Sequence, residues 1–135
     1  MTDNNAHDLF QAALEVRAHA HAPYSNFPVG VALRTDSGEI FTGCNVENGS
    51  YPEGACAETG AISAMVAGGG RTIVEICVVG AGEHPLTPCG GCRQRIAEFG
   101  SRGTLIHAAS PDAGIRASWR LDELLPEAFR LEIRP

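Results

Sequence analysis

A three-layer α/β domain, with helices on both faces of a five-stranded mixed sheet, is the fold class the sequence predicts, and three observations carry it. Apolar periodicity switches between about 3.6 and about 2 residues along the chain, giving the element order αββαβαββ. One strand-like run, Ile73 to Val79, is apolar apart from Glu75, as in a central strand covered on both faces. At 135 residues and 44% hydrophobic content the chain can bury one core but is short for two, so residues 1–135 read as a single domain.

The first element is a helix from about Asp8 to Ala20, because Leu9, Ala13, Val16 and Ala20 recur near helical spacing beside Phe10, Leu14 and Arg17. It ends before His21-Ala22-Pro23, since proline disfavours helical geometry in the residue ahead of it. Val29, Val31 and Leu33 then alternate with smaller residues, Asp36-Ser37-Gly38 supplies turn chemistry, and Ile40 to Val46 resumes an extended pattern; together these predict a β-hairpin. Asn48 to Gly54 is loop-like. From Cys56 the alanine-rich run to Ala67 predicts a second helix, stopped by Gly68-Gly69-Gly70.

After the central strand, His84 to Pro88 leads into a third helix from about Cys89 to Phe99. Thr104 to Ala108 is a short strand, and Ser110-Pro111-Asp112-Ala113-Gly114 turns the chain into a last strand, Ile115 to Leu121. Five turn residues suffice for an antiparallel pair, whereas a parallel crossover needs about a dozen or more, so the last two strands are expected to be antiparallel. A short helix around Asp122 to Leu125 completes the order.

Composition narrows the function classes. A net charge of -6, with ten basic residues scattered along the chain, offers no stripe to track phosphates, which favours a small-molecule ligand over nucleic acid. No apolar run approaches the roughly 20 residues of a membrane span, and the polar start Met1 to Asn5 lacks the regions of a signal peptide, so no membrane partner and a cytoplasmic location are expected. In a reducing compartment the five cysteines read as free thiols or metal ligands, and five is an odd number for a disulfide scaffold.

Two motifs carry the chemistry: Cys56-Ala57-Glu58, and Pro88-Cys89-Gly90-Gly91-Cys92. Three thiols can hold a tetrahedral zinc ion, the expected cofactor, while leaving its fourth position open for water; a carboxylate two residues from the first thiol can move that water's protons. Residues three apart share a helix face, so Cys89 and Cys92 in a first turn can bind one metal, with Pro88 fixing the approach. Residues two apart do not, so Cys56 and Glu58 converge on one ion only if it lies at the mouth of their helix. The positive ends of two helix dipoles then favour the ionised thiols. The competing reading is a structural zinc, for which His84 is the candidate fourth ligand; Cys77 looks like core and Cys44 ends a hairpin strand. His7, His19, His21 and His107 read as surface or ordinary core residues.

The sequence resembles the small, tetrameric cytidine deaminases from about Ala22 to Phe129. The blocks that agree are Tyr24-Ser25-Asn26-Phe27-Pro28-Val29-Gly30, Gly43-Cys44-Asn45-Val46-Glu47-Asn48, both zinc motifs with Arg93-Gln94, and Leu124-Leu125-Pro126-Glu127-Ala128-Phe129. The resemblance implies a cytidine deaminase-like fold and hydrolytic deamination of cytidine and deoxycytidine to uridine and deoxyuridine, in pyrimidine salvage. It makes Cys56, Cys89 and Cys92 the zinc ligands, and Glu58 the proton carrier that activates water, protonates ring N3 and serves the departing ammonia. It implies that Asn45 and Glu47 bind the ribose 3′-hydroxyl, that Phe27 packs on the pyrimidine face, and that the backbone around Ala57 and Thr87 hydrogen-bonds the base. Tyr51 and Phe129 would reach a neighbouring subunit's site in a homotetramer with shared active sites.

Plainer readings stand beside these. Phe27 and Phe129 suit core aromatics, and Asn45 and Glu47 suit turn residues after a strand. The sequence departs from the family where an arginine commonly follows the catalytic glutamate, for here Thr59 and Gly60 follow Glu58. The expected compensation comes from the helix termini with Arg93 or Arg95. Two alternatives remain: a deaminase of another cytosine-containing small molecule, as in the similar blasticidin deaminases, and a non-catalytic zinc or redox protein. Asn45, Glu47 and Phe129 favour the nucleoside.

Overall fold

Strand alternation sorts the core into two. The computed structural model describes residues 2–132, so residue 1 and residues 133–135, the ends of the expected domain, lie outside the described residues. The elements run α1 (Thr2–Arg17), β1 (Gly30–Thr35), β2 (Ile40–Cys44), a 3-10 turn (Tyr51–Glu53), α2 (Ala57–Ala67), β3 (Ile73–Val79), α3 (Gly90–Phe99), β4 (Leu105–Ser110), β5 (Gly114–Arg120) and α4 (Leu121–Leu124). Val31 and Leu33 of β1 join Ile76 and Val78 of β3 in a cluster with Ala61, Ile62 and Met65 of α2 and Ile96 of α3. The intervening Ala32, Cys77 and Val79 pack instead with Leu9, Phe10 and Ala13 of α1. Successive strand residues point to opposite faces, so this split is the three-layer arrangement the sequence predicts.

The sheet order is β2-β1-β3-β4-β5. Only β3 and β4 pair in parallel, bridged by α3; the other neighbours are antiparallel, including β4 with β5. The fold class and the antiparallel last pair are as expected from the sequence. The parallel pair sends the chain from the end of β3 directly toward the start of α3, which carries two of the candidate thiols.

Several boundaries differ from expectation. The helix α1 spans Thr2–Arg17 rather than Asp8 to Ala20. Its buried residues Ala6, Leu9, Phe10 and Ala13 form an apolar stripe that begins one turn earlier than expected. At the other end Ala18 to Ala20 close tighter turns onto Glu15, Val16 and Arg17. The strand expected to reach Val46 stops at Cys44, because Val46 leaves the hairpin to exchange backbone hydrogen bonds with Ala55. The strand β4 runs to Ser110, two residues beyond the expected end, and α4 begins at Leu121. Glu123 accepts a hydrogen bond from the Arg120 amide at 2.9 Å, capping that last turn.

One close approach positions α2. A Cβ at Gly43 would stand 2.2 Å from the Ala61 nitrogen and 2.5 Å from the Ala57 carbonyl oxygen. Only glycine lets β2 lie directly against the first two turns of α2. Those turns begin at Cys56 and bear Glu58.

Candidate active site

Both motif-bearing helices begin at a cysteine. Cys56 precedes α2 and Cys89 precedes α3, each in extended geometry. Cys92 is buried in the first turn of α3. The sulfurs of Cys56, Cys89 and Cys92 lie within 4.8 Å of one another and could hold a metal ion; His84, Cys44 and Cys77 are not in that cluster. Because helix starts present unpaired N–H groups and a positive dipole end, both helices aim favourable potential at the sulfurs.

The thiols pull against one another without a cation. A hydrogen bond from the Cys92 backbone amide lowers the Cys89 thiol, against the opposing effect of burial. Burial raises Cys56, with Glu58 and Cys89 adding to the effect. Burial raises Cys92 further, and the nearby Glu58 and Cys56 charges push the same way. Three soft sulfur donors on one side of a shared point fit zinc, whose charge would stabilise all three as thiolates. Cys77 behaves differently. Buried in the core beside Glu75, its thiol is pushed up to about 12 and stays neutral.

Glu58, one turn-position inside α2, is only 5% exposed. Burial raises its pKa, and its own backbone amide, the Cys92 thiol and the Arg95 charge act in the opposite direction. A carboxyl moved toward neutrality while within reach of a metal ligand is suited to taking and returning protons.

Asn45 and Glu47 build the adjoining loop. Asn45 Oδ1 accepts from the Val29 amide at 2.8 Å, and its Nδ2 donates to the Phe27 carbonyl at 3.0 Å. Glu47 Oε1 accepts from the Tyr24 and Ser25 amides at 3.0 and 3.1 Å, and Oε2 accepts from the Ser25 hydroxyl. Those bonds, led by the Ser25 hydroxyl, hold the Glu47 carboxyl below its usual range. Between the two clamps Asn26 adopts φ 55°, a conformation asparagine tolerates better than most residues. The loop thereby carries Phe27 to the end of β3, where its ring and Leu86 lie over Gly80. Phe27 is 37% exposed and therefore not a core aromatic.

The remaining expected residues divide. Ala57 is buried as the first residue of α2, and Thr87 Oγ1 accepts from Arg93 Nη2 at 3.1 Å just before the thiol pair. Tyr51 and Phe129 are exposed at 78% and 69%, again unlike core residues. Tyr51 meets Tyr24 edge-on, their ring centroids 6.3 Å apart. The Phe129 carbonyl accepts from Gln94 Nε2 at 2.8 Å, which ties the C-terminal segment to α3. His7, His19 and His21 are exposed, as expected. His107 is more than ordinary core: its Nδ1 pairs with Ser118 Oγ at 2.6 Å and its Nε2 with Glu75 Oε2 at 2.6 Å, on the sheet face that α1 covers. Sequence reasoning also assigned no role to Ser25. The anchor of Glu47 lies 22 residues away, and no local pattern announces it.

A mixed α/β sheet that brings three thiols to two helix starts, beside a buried carboxyl, places a group able to move protons next to a cluster that could hold a metal ion. The chain belongs to the cytidine and deoxycytidylate deaminase family: the model described as "Cytidine and deoxycytidylate deaminase zinc-binding region" matches residues 3–108. A cytidine deaminase of Sporosarcina psychrophila is 39% identical over 124 residues, covering 92% of this chain and 90% of the relative. One from Mycobacterium tuberculosis (strain CDC 1551 / Oshkosh) is 44% identical over 125 residues, covering 91% and 88%. The crystal structure of cytidine deaminase from Burkholderia pseudomallei superposes with a TM-score of 0.85 at 42% identity, over 91% of this chain and 98% of that one.

Proposed function

We propose that this protein is a zinc-dependent cytidine deaminase that hydrolyses cytidine and deoxycytidine to uridine and deoxyuridine with release of ammonia. The observation that carries the reading is the placement of the buried Glu58 carboxyl against three mutually close sulfurs. Cys56, Cys89 and Cys92 would hold the ion, which would supply a Lewis acid able to bring the pKa of a water toward neutrality. Glu58 would take one proton from the attacking water and pass it to ring N3 as the water oxygen bonds to C4, then take the remaining proton of that oxygen and deliver it to the amino group, which leaves as ammonia when the C4–N bond breaks. Its burial supports this duty, because a carboxylate whose pKa is raised by burial takes up a proton more readily than an exposed one and can hold it until the substrate accepts it.

Phe27 offers its exposed ring to the pyrimidine face, at the end of the loop that Asn45 and Glu47 hold in place. Asn45 keeps one N–H and one acceptor lone pair beyond its loop contacts, and Glu47 keeps further acceptor capacity, which is enough for a ribose hydroxyl. The backbone around Ala57 and Thr87 completes the base contacts. Tyr51 and Phe129 act in a neighbouring subunit's site within a homotetramer. Their exposure as large side chains supports that role, since aromatic residues left open on a monomer commonly mark interfaces. Five unpaired cysteines among the described residues favour a reducing, cytoplasmic setting and a place in pyrimidine salvage.

The test follows ultraviolet absorbance after zinc-loaded protein is added to cytidine or deoxycytidine. Glu58→Gln should retain zinc and lose about 10²–10⁴-fold in rate. Unchanged absorbance with both nucleosides overturns the reading, and a monomer in sedimentation overturns the shared roles of Tyr51 and Phe129.

A further inference from the structure

Two arginines follow the thiol pair on α3, and they do different work. The Arg93 guanidinium is spent on the framework: Nε donates to the Pro88 carbonyl at 2.8 Å, Nη1 to the Leu124 carbonyl at 2.9 Å and Nη2 to Thr87 Oγ1 at 3.1 Å. Arg95 makes no such bonds and no ion pair among the described residues. Three residues beyond Cys92, it shares that residue's helix face and turns back toward the helix start. Its Nη1 lies 3.7 Å from Cys92 Sγ, within donor range of sulfur.

The glycines between the thiols are adapted to this contact unequally. A Cβ at Gly91 would stand 3.2 Å from Arg95 Nη1, whereas a Cβ at Gly90 would meet nothing within 4 Å. The guanidinium therefore lies over Gly91 and not over Gly90.

Charge explains why a cation matters at this point. Three thiolates around a dication leave a net negative charge, and electron-rich sulfurs weaken the ion as a Lewis acid. A guanidinium N–H donated to a thiolate draws charge off the sulfur, and arginine does not lose that proton in the accessible pH range. Thr59, beside Glu58, offers a hydroxyl without charge. We propose, resting on the reading of Cys56, Cys89 and Cys92 as zinc ligands, that Arg95 is a positioning residue for the metal. Its guanidinium donates to Cys92 Sγ, strengthens the hold on zinc and offsets the excess negative charge of the three sulfurs. Arg93 supports the loop and leaves the sulfur to Arg95.

The test compares wild type with Arg95→Leu, Arg95→Lys and Arg102→Leu, the last removing the same charge from an exposed arginine in the α3–β4 loop. Each is loaded with zinc and competed against a chromophoric chelator, then loaded with cobalt(II) and read by its thiolate-to-metal charge-transfer band. Groups that hydrogen-bond metal ligands are typically worth about 10–100-fold in affinity. Because Arg95 is exposed and screened by solvent, Arg95→Leu should lose roughly tenfold, the low end of that range. Its band should move to lower energy, Arg95→Lys should recover part of the affinity, and Arg102→Leu should match wild type. Unchanged affinity and an unmoved band in Arg95→Leu overturn the proposal. A wild-type protein with no thiolate-to-cobalt band overturns the ligand reading beneath it, so the two failures are distinguished by the wild-type spectrum.

Discussion

Cys56 and Cys89 hold equivalent positions on different helices, each the last extended residue before a helical turn. A sulfur accepts hydrogen bonds more weakly than a serine or aspartate oxygen, so the arrangement gives up part of the roughly 1 kcal/mol per helix that such a cap supplies. In exchange the sulfurs face two dipole ends at once.

Replacing either cysteine should therefore cost the metal more than it costs the fold. Structural zinc binds with roughly 10–16 kcal/mol spread over about four ligands, so one thiolate is worth on the order of 3 kcal/mol, or about a hundredfold in affinity. Cys56→Ala and Cys89→Ala should lose at least that much in chelator competition. Cys44→Ala, outside the cluster, should bind zinc as wild type does. Equal zinc affinity in all three variants would remove the cluster from consideration.

Gly43→Ala tests how the sheet positions Glu58. The new methyl would meet the Ala61 nitrogen and the Ala57 carbonyl oxygen, both backbone atoms that cannot rotate away. The variant should lose about 1–3 kcal/mol in denaturant unfolding, the usual range for overpacking. Any folded fraction should show a lower kcat, because α2 must shift and takes Glu58 with it. Wild-type stability and kcat together would contradict the close approach.

Much of this was legible because local punctuation carried it. The triple glycine after Ala67 stops α2, and the short turn Ser110 to Gly114 forces β4 and β5 antiparallel. The zinc cluster was legible for the same reason: each half is a short motif whose spacing has meaning on a helix start. The start of α1 was not, since Thr2 to His7 is polar apart from Ala6, the buried residue that extends the apolar stripe into that turn. The departure of Val46 from the hairpin depends on Ala55, a partner nine residues later in sequence that periodicity cannot supply. The choice between Arg93 and Arg95 also needed three dimensions, because residues two apart on a helix cannot both face the metal.

His107 and Glu75 form a buried pair on the face away from the thiols, at 6% and 7% exposure. Arg34 Nε stands 3.7 Å from Glu75 Oε1 and, though buried, has no hydrogen-bond partner. Replacing His107 with Leu strips the carboxylate of its shortest contact and should destabilise the protein by about 1–3 kcal/mol. A double replacement, Glu75→Leu with His107→Leu, should cost less than the two single changes summed, because each single change leaves the other member of the pair buried without its shortest contact and the double change does not. Strict additivity in thermal or denaturant unfolding would mean that the two side chains do not act as a pair.

Glu47 gives a pH prediction whose sign follows from its contacts. The Ser25 hydroxyl and the Ser25 and Tyr24 amides all donate to the carboxylate, which lowers its pKa from 4.5. A depressed carboxyl contributes order that is fully present above its ordinary pKa and lost as pH falls through the depressed value. The Tyr24 and Ser25 amides should therefore keep their hydrogen-exchange protection and NMR shifts from neutral pH down to about 4.5, and lose them together at more acidic pH. Glu47→Gln should abolish that acid transition and leave the loop less protected at neutral pH, since a neutral amide oxygen accepts these bonds more weakly than a carboxylate. An acid transition of the same midpoint in the Gln variant would assign the loop's order to another group.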